Sequence, residues 1–402
     1  MKIACVSTSQ VPSSTANSIQ LMKVCHALAC SATASQSGNQ VPQLSMPGSC
    51  TAGLPGSANQ VCLWIPGQAS TPWEKLADHY GLAQPFELRW LSFWPVLRRY
   101  DFALRAVHQA RAWGAGLIYT WLLPAAVLAL QLHLPVVLEL HDLPTGLFGP
   151  RLFRYFMAHS GKKRLLVITH ALARRLGVES RSLPGGQGVQ VAPNGVDLES
   201  YTGLPDAPQA RRQLGLAENL TAVYTGHLYA GRGIDLLAGL AGALPSINFL
   251  WVGGRPEDVA AWKEKLAGLG IHNVLLTGFI ENRRLPLYQA AGDVLLMPYE
   301  RAIAGSSGGN SAEICSPMKM FDYLACGRAI LTSDLPVIHE VLNDANACFC
   351  PPEDLRAWTK ALADLLQDAR RRQLLAVQAR RDSTRYSWQA RALRALEGFA
   401  GG

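Results

Sequence analysis

Ser316, Pro317, Met318 and Lys319, with Asp322 one turn further on, form the spacing with the clearest chemistry in this chain. A hydroxyl residue followed by proline predicts a helix start, with Ser316 as the cap and Pro317 at the first helical position. Met318, Phe321, Leu324 and Ala325 then recur at helical spacing, and Gly327 predicts the stop. The first turn of such a helix offers free backbone N–H groups at Met318 and Lys319 beside the lysine ammonium, which favours a phosphate. A carboxylate at Asp322 could accept from sugar hydroxyls. The alternative is a core helix with an ordinary capping serine. Residues 329–331 read as a short strand and 334–336 as a turn, with Pro336 opening another helix.

That helix needs a scaffold, and the rest of the chain supplies one by alternation. Apolar runs at 2–6, 61–65, 87–91, 117–119, 135–140, 165–168 and 189–192 are separated by helical patterns, among them 18–30, 98–113, 125–132 and 171–176. Alternation at this spacing predicts a parallel sheet with helices on both faces. Ligands of such sheets sit at the C-terminal ends of strands. This puts residues 7–17, Thr120, His141, Asp142, Thr169, His170, Asn194 and Gly195 on the functional rim. Residues 201–219, rich in Pro, Gly and charge, read as a linker. A second series follows, with strands at 221–224, 248–252, 274–277 and 294–297 and helices at 234–244, 257–269 and 285–291. Two α/β halves in one chain are expected to leave a cleft between them. Residues 31–60 carry no charge and have the turn-rich composition of a flexible insert.

At 402 residues, with 49% hydrophobic and 16% charged residues, the chain has room for two ordinary α/β domains. No apolar run reaches the roughly 20 residues of a spanning helix. Polar residues 7–10 interrupt the N-terminal run too early for a signal peptide. The expectation is a cytoplasmic protein, with a peripheral place at the inner face of the membrane left open. The nine cysteines include no CxxC pair and read as small buried hydrophobes; Cys348 and Cys350 would share one face of a strand. A net charge of +8 calls for an anionic partner. Basic residues interleave with aromatics around Trp90, Phe93, Trp94, Arg98, Arg99, Tyr100 and Arg105, and again around Arg151, Arg154, Tyr155, Lys162 and Arg164. Such interleaving suits an anionic membrane surface or a phosphorylated acceptor. No nucleic-acid motif accompanies it, so no nucleic acid is expected. Solvated helix faces with the aromatics turned inward are the alternative.

Taken in order, these pieces resemble the retaining glycosyltransferases of family 4, which have the GT-B fold of two Rossmann-like domains facing across a cleft. The matching stretches are STSQVPSSTANSIQLMKVCHALA near the start, ELHD ending at Asp142, PNGVD ending at Asp197 and YTGHLYAGRGIDLL ending at Leu237. LYQAAGDVLLMP ending at Pro298 and SPMKMFDYLACGRAI ending at Ile330 complete them. The resemblance implies an N-terminal acceptor domain over 1–200 containing the 31–60 insert, and a linker over 201–220. A C-terminal domain over 221–384 would hold a nucleotide-diphosphate sugar, and a helix over 385–402 would cross back to the first domain.

It also implies roles. A basic pair clamps the diphosphate after the first strand of the second domain; the matching positions are His227 and Arg232, with Gly226 beside them. Lys319 and the amides after Ser316 and Pro317 take the terminal phosphate, and Asp322 takes the ribose where a glutamate is usual. A second glutamate of the family falls on Ile314, with Glu313 adjacent. The backbone of Ile280 reads the base. His141 lies near the reacting sugar, and Thr15, Asn17 and Asp142 approach the acceptor. The implied reaction moves a sugar to a hydroxyl of a glycan, lipid-linked or small-molecule acceptor with retention. His141, Arg232 and Lys319 are the catalytic candidates. The departing phosphate takes the proton, and no metal or other cofactor is expected, since no DxD motif is present. A catalytically silent nucleotide-sugar-binding protein, an epimerase and a phosphorylase of the same fold are the rivals. A dehydrogenase is disfavoured because no GxGxxG precedes a helix.

Overall fold

The computed structural model describes residues 1–31, 59–68, 71–94, 100–179, 188–303, 310 and 312–399. The chain divides into two units: Met1–Val167 with Leu176–Ala192 and Trp388–Gly402, and Ile168–Arg175 with Pro193–Ser387. The segment 201–220, read above as a linker, therefore falls inside the second unit. It contains a helix, Ala207–Gln213, capped by the Asp206 carboxylate. Arg211 of that helix is buried and donates to Ala291 O and Asp293 Oδ2, both at 2.8 Å. Composition alone hid this element because its stabilising partner lies some eighty residues away.

The first unit is built on β1 (Lys2–Val6), β2 (Gln60–Pro66), β3 (Glu87–Leu91), β4 (Leu117–Thr120), β5 (Val136–Leu140), β6 (Lys163–Val167) and β7 (Val189–Val191). All are parallel, in the order β3-β2-β1-β4-β5-β6-β7. Most of these strands read as continuous apolar runs because helices cover both faces, and β1, β4, β5 and β6 are buried almost throughout. The order reverses between β1 and β4, where Val6 is flanked by Trp64 on one side and Thr120 on the other. Nearly all of the 31–60 insert lies outside the described residues. Its two ends are held together: Asn59 Nδ2 donates to Leu28 O at 3.1 Å and to Ser31 O at 2.7 Å.

The second unit repeats the plan with β8 (Thr221–Thr225), β9 (Asn248–Val252), β10 (Val274–Gly278), β11 (Val294–Met297), β12 (Ala329–Ser333) and β13 (Cys348–Cys350), in the order β10-β9-β8-β11-β12-β13. Its core packs on both sides of the sheet, Phe321, Leu324 and Ile338 on one side and Trp251, Leu240 and Trp358 on the other. The reversal falls between β8 and β11. Pro336 does not open an α-helix. A turn leads instead to a 3-10 segment, Ile338–Glu340. No helix among the described residues is long and apolar enough to cross a membrane.

Candidate functional site

Ligand crevices form where the strand order of a parallel sheet reverses, and in the second unit that point is the end of β8 beside β11. The chain leaves β8 through Gly226 and re-enters a helix, Ile234–Ala243, at Gly233. Both glycines have positive φ, 140° and 72°. A Cβ on Gly233 would lie 1.8 Å from Pro298 O, so only glycine lets this loop pass against the end of β11. At Gly226 the neighbour is different. A Cβ there would lie 2.7 Å from Lys319 Nζ, which shows how closely the lysine approaches the loop backbone.

Lys319 sits in the first turn of the helix Met318–Cys326, whose left-handed C-terminal glycine is Gly327 as the sequence predicted. The start of that helix differs from expectation. Pro317 is the cap residue, and Ser316 makes no capping bond. Ser316 is instead buried and holds the PNG turn: Asn194 N donates to its Oγ at 3.1 Å and Asn194 Nδ2 to its carbonyl at 2.6 Å. The hydroxyl is committed before any ligand arrives, a competition that the Ser-Pro pair alone could not reveal.

Arg232 of the expected clamp pair and Lys319, expected at the terminal phosphate, come together here, surrounded by tyrosines. Lys319 Nζ stands 3.9 Å from the ring centre of Tyr224 and 5.4 Å from that of Tyr299. The Arg232 guanidinium lies 5.0 Å from the Tyr229 ring and 5.2 Å from that of Tyr299, and its Nη2 donates to Tyr229 Oη at 2.7 Å. Both side chains are half-buried, and ring faces are weaker partners for a cation than a carboxylate. Phenols surround Arg232, and Asp322 is a carboxylate whose field reaches Lys319. Burial, and then the like charge of Arg232, push Lys319 well below the usual lysine range, with Asp322 acting the other way. Arg232 is raised: burial opposes its charge, but the phenols of Tyr299 and Tyr229 outweigh it. Burial lifts Tyr299 to about 12 and Cys315 to about 11, each against the pull of Arg232. An anion placed between these two basic side chains would offset both the burial and the mutual repulsion that act on Lys319.

The other second-unit candidates fall around it unevenly. His227 stacks on Tyr229 at 5.4 Å, and its carbonyl accepts from Tyr224 Oη at 2.6 Å. Asp322 is one turn beyond Lys319, near the Tyr201 hydroxyl, which burial and this carboxylate raise well above its usual range. Ile280 packs its side chain on the core. Ile314 is buried, its carbonyl accepting from Thr169 Oγ1 at 3.0 Å. Glu313 is exposed and pairs with Arg175 at 2.8 Å. Tyr224, Tyr229 and Tyr299 were not anticipated. Their signal was their position, immediately beside the two glycines and the end of β11.

The first-unit candidates lie on its own C-terminal strand rim. Thr15 and Asn17 are exposed at the start of the helix Ala16–Cys30, and Thr15 N donates to Ser13 Oγ. His141 follows β5, with Nε2 2.7 Å from Glu139 Oε1, and Asp142 Oδ1 accepts from Leu143 N. No cluster of metal-ligating side chains occurs among the described residues.

Two Rossmann-like units with a cationic site at a strand-order reversal define a GT-B protein, and solved structures agree. The chain aligns with Anabaena HepE in complex with UDP over 99% of both chains, at 17% identity and TM-score 0.68. It aligns with WaaG, a glycosyltransferase involved in lipopolysaccharide biosynthesis, over all of both chains at 15% identity and TM-score 0.64. Residues 219–368 match the model of the family Glycosyl transferases group 1. Among curated relatives, D-inositol 3-phosphate glycosyltransferase of Xylanimonas cellulosilytica is 27% identical over 226 residues, 53% of this chain and 51% of the relative. The GDP-mannose-dependent alpha-(1-6)-phosphatidylinositol monomannoside mannosyltransferase of Mycolicibacterium smegmatis is 27% identical over 217 residues, 52% of this chain and 55% of the relative. The chain thus spans about half the length of the curated relatives it matches.

Proposed function

We propose that this chain is a retaining glycosyltransferase of family 4, moving a sugar from a nucleotide-diphosphate donor to a hydroxyl on a glycan or lipid-linked acceptor. The observation that carries the reading is the pair Lys319 and Arg232, two half-buried cations packed against the rings of Tyr224, Tyr229 and Tyr299, beside the first-turn amides of Met318 and Lys319. As the glycosidic bond breaks, charge builds on the leaving diphosphate, and preformed cations and amides stabilise it without reorganising. The phosphate oxygen then takes the proton of the attacking hydroxyl, so that the new bond forms on the face that the diphosphate leaves. Asp322 holds the ribose, the backbone at Ile280 meets the base, and His141 stands by the reacting sugar. The lipid-acting relatives favour an acceptor presented at an anionic membrane surface.

The test is turnover of a panel of nucleotide sugars, with the anomeric configuration of the product read by NMR. Lys319→Ala and Arg232→Ala are each expected to reduce kcat/KM by about 30-fold or more, the loss of one charge-assisted contact in a dry site. Undiminished transfer in both variants, or inversion at the anomeric carbon, would refute the reading. A second reading is a nucleotide-sugar-binding protein without transfer. It is favoured by the buried Ile314 and by Glu313 being drawn off to Arg175. Nucleotide binding without detectable transfer to any acceptor would select it.

A further inference from the structure

Glu139 is the meeting point of several segments of the first unit, and the chemistry proposed above does not use it. Strand alternation places it on the same face as His141, two residues on. Its side chain is 1% exposed, yet it is charged. Oε1 accepts from Gln20 Nε2 at 2.6 Å and from Arg391 Nη2 at 2.7 Å, and lies 2.7 Å from His141 Nε2. Tyr119 Oη donates to Oε2. Arg391 arrives on the helix Trp388–Leu396, 252 residues away in sequence, and also donates to Ala192 O at 3.1 Å and to Tyr119 Oη at 3.3 Å. Burial works against the carboxylate, but Arg391 and the His141 contact hold it well below the usual carboxylate range. A buried pair this well satisfied is a rigid one.

An ionised carboxylate only accepts hydrogen bonds, so the ring nitrogen facing it carries the hydrogen. His141 is therefore Nε2–H. Its Nδ1, which meets no hydrogen-bond partner among the described residues, is the nitrogen left for a ligand. On the neutral ring it accepts; on the imidazolium it donates.

We propose that Arg391 is a positioning residue for the His141 imidazole, acting through Glu139: it keeps the carboxylate charged and still, so that the ring holds the Nε2–H tautomer and turns Nδ1 toward the reacting sugar. This rests on the placing of His141 beside that sugar. On that reading the C-terminal helix has a part in the site beyond packing. A stabilising ion pair alone would have no consequence for which ring nitrogen is protonated.

The experiment is a two-bond proton–nitrogen correlation spectrum of the full chain labelled with nitrogen-15 histidine, with the His141 signals assigned by their loss in His141→Asn. Wild-type protein is expected to show His141 as a single Nε2–H tautomer. Arg391→Met should give a mixture of tautomers and lower kcat about 10- to 100-fold with the donor KM little changed, as a misplaced catalytic group does. Arg391→Lys, which restores the charge, should recover the single tautomer and most of kcat. Arg391→Gln, which keeps a donor without the charge, replaces the methionine variant if that one fails to fold. An Nδ1–H tautomer in the wild type, or an unchanged Nε2–H signal in the charge-free variants, overturns the proposal. A changed tautomer with transfer unaffected upholds the positioning and instead removes His141 from the reaction.

Discussion

Burial and the Arg232 guanidinium both act to strip the proton from Lys319, and Asp322 resists them without prevailing. In the unfolded chain this lysine holds its proton up to about pH 10.4. In the fold it gives the proton up at lower pH, so across that window the unfolded state binds more protons and stability rises with pH. The destabilisation is full below the folded-state pKa and fades toward the ordinary value. A diphosphate bound beside Lys319 reverses the balance, because its charge favours the ammonium. Binding is therefore expected to take up a proton between the ligand-free and ligand-bound pKa values, and affinity to fall as pH rises through the same interval. Calorimetry of nucleotide-diphosphate binding in buffers of different ionisation enthalpy measures this uptake, which Lys319→Met should abolish. The same substitution removes a half-buried charge from beside Arg232 and should stabilise the ligand-free protein by about 1 kcal/mol while weakening binding. A variant that loses stability and binding together would show that Lys319 is chiefly structural.

The loop from Gly226 to Gly233 makes one site from two neighbours of different stiffness. At Gly226 an added methyl would meet the flexible end of Lys319. At Gly233 it would meet the Pro298 carbonyl, fixed at the end of β11. Gly226→Ala is thus expected to keep the fold, at a modest loss for its positive φ, and to weaken nucleotide binding by displacing the lysine. Gly233→Ala should destabilise the protein by about 2 kcal/mol or more, since rigid backbone must move. Thermal melts with and without nucleotide diphosphate separate the two, and equal effects on both readouts would contradict the distinction. What the sequence made legible follows the same division between local and distant causes. The strands at 248–252 and 294–297 were readable because burial on both faces leaves an uninterrupted apolar run, and Gly327 was readable because a left-handed cap is a local need. The helices Trp73–Tyr80, Gly149–Ala158 and Ala207–Gln213 were not, being short and dependent on partners elsewhere in the chain. Ser316 deceived for a related reason: its hydroxyl serves Asn194, 122 residues earlier. Glu139 within the apolar run of β5 was a visible sign of a buried ion pair, but its partner Arg391 could not be read from spacing.

The chain threads its units repeatedly, passing from one to the other after residues 167, 175, 192 and 387. The first half thereby lends the second the helix His170–Arg175, whose leading amides at His170 and Ala171 donate to the Glu340 carboxylate, both at 2.7 Å. The last helix brings Arg391 to the first unit. Neither unit is encoded by a continuous stretch, which is why boundaries drawn by composition at 200 and 221 divide the sequence more simply than the fold does. The net charge of +8 belongs to this scale too, and the first unit has a face where exposed rings adjoin arginines. Trp94, Leu147 and Phe148 are 69%, 74% and 51% exposed. They belong to one patch, because Trp94 N donates to Asp101 Oδ2 and the Tyr100 ring meets that of Phe148 at 6.3 Å. The exposed Arg151 and Arg154 lie on the adjoining helix Gly149–Ala158. Apolar rings rimmed by arginines suit an anionic lipid surface, where each basic side chain contributes about 1 kcal/mol. Sedimentation with vesicles of phosphatidylcholine containing phosphatidylglycerol should recover the protein, and pure phosphatidylcholine should recover far less. Replacing Arg151 and Arg154 together with serine should weaken partitioning by about 2 kcal/mol, near 30-fold, an effect that shrinks as salt screens the charges. Trp94→Ala with Phe148→Ala should weaken it at every salt concentration, because the lost contribution is apolar burial. Equal recovery on charged and neutral vesicles would remove the membrane from this reading, while transfer to a water-soluble acceptor would remain to be judged by Lys319 and Arg232.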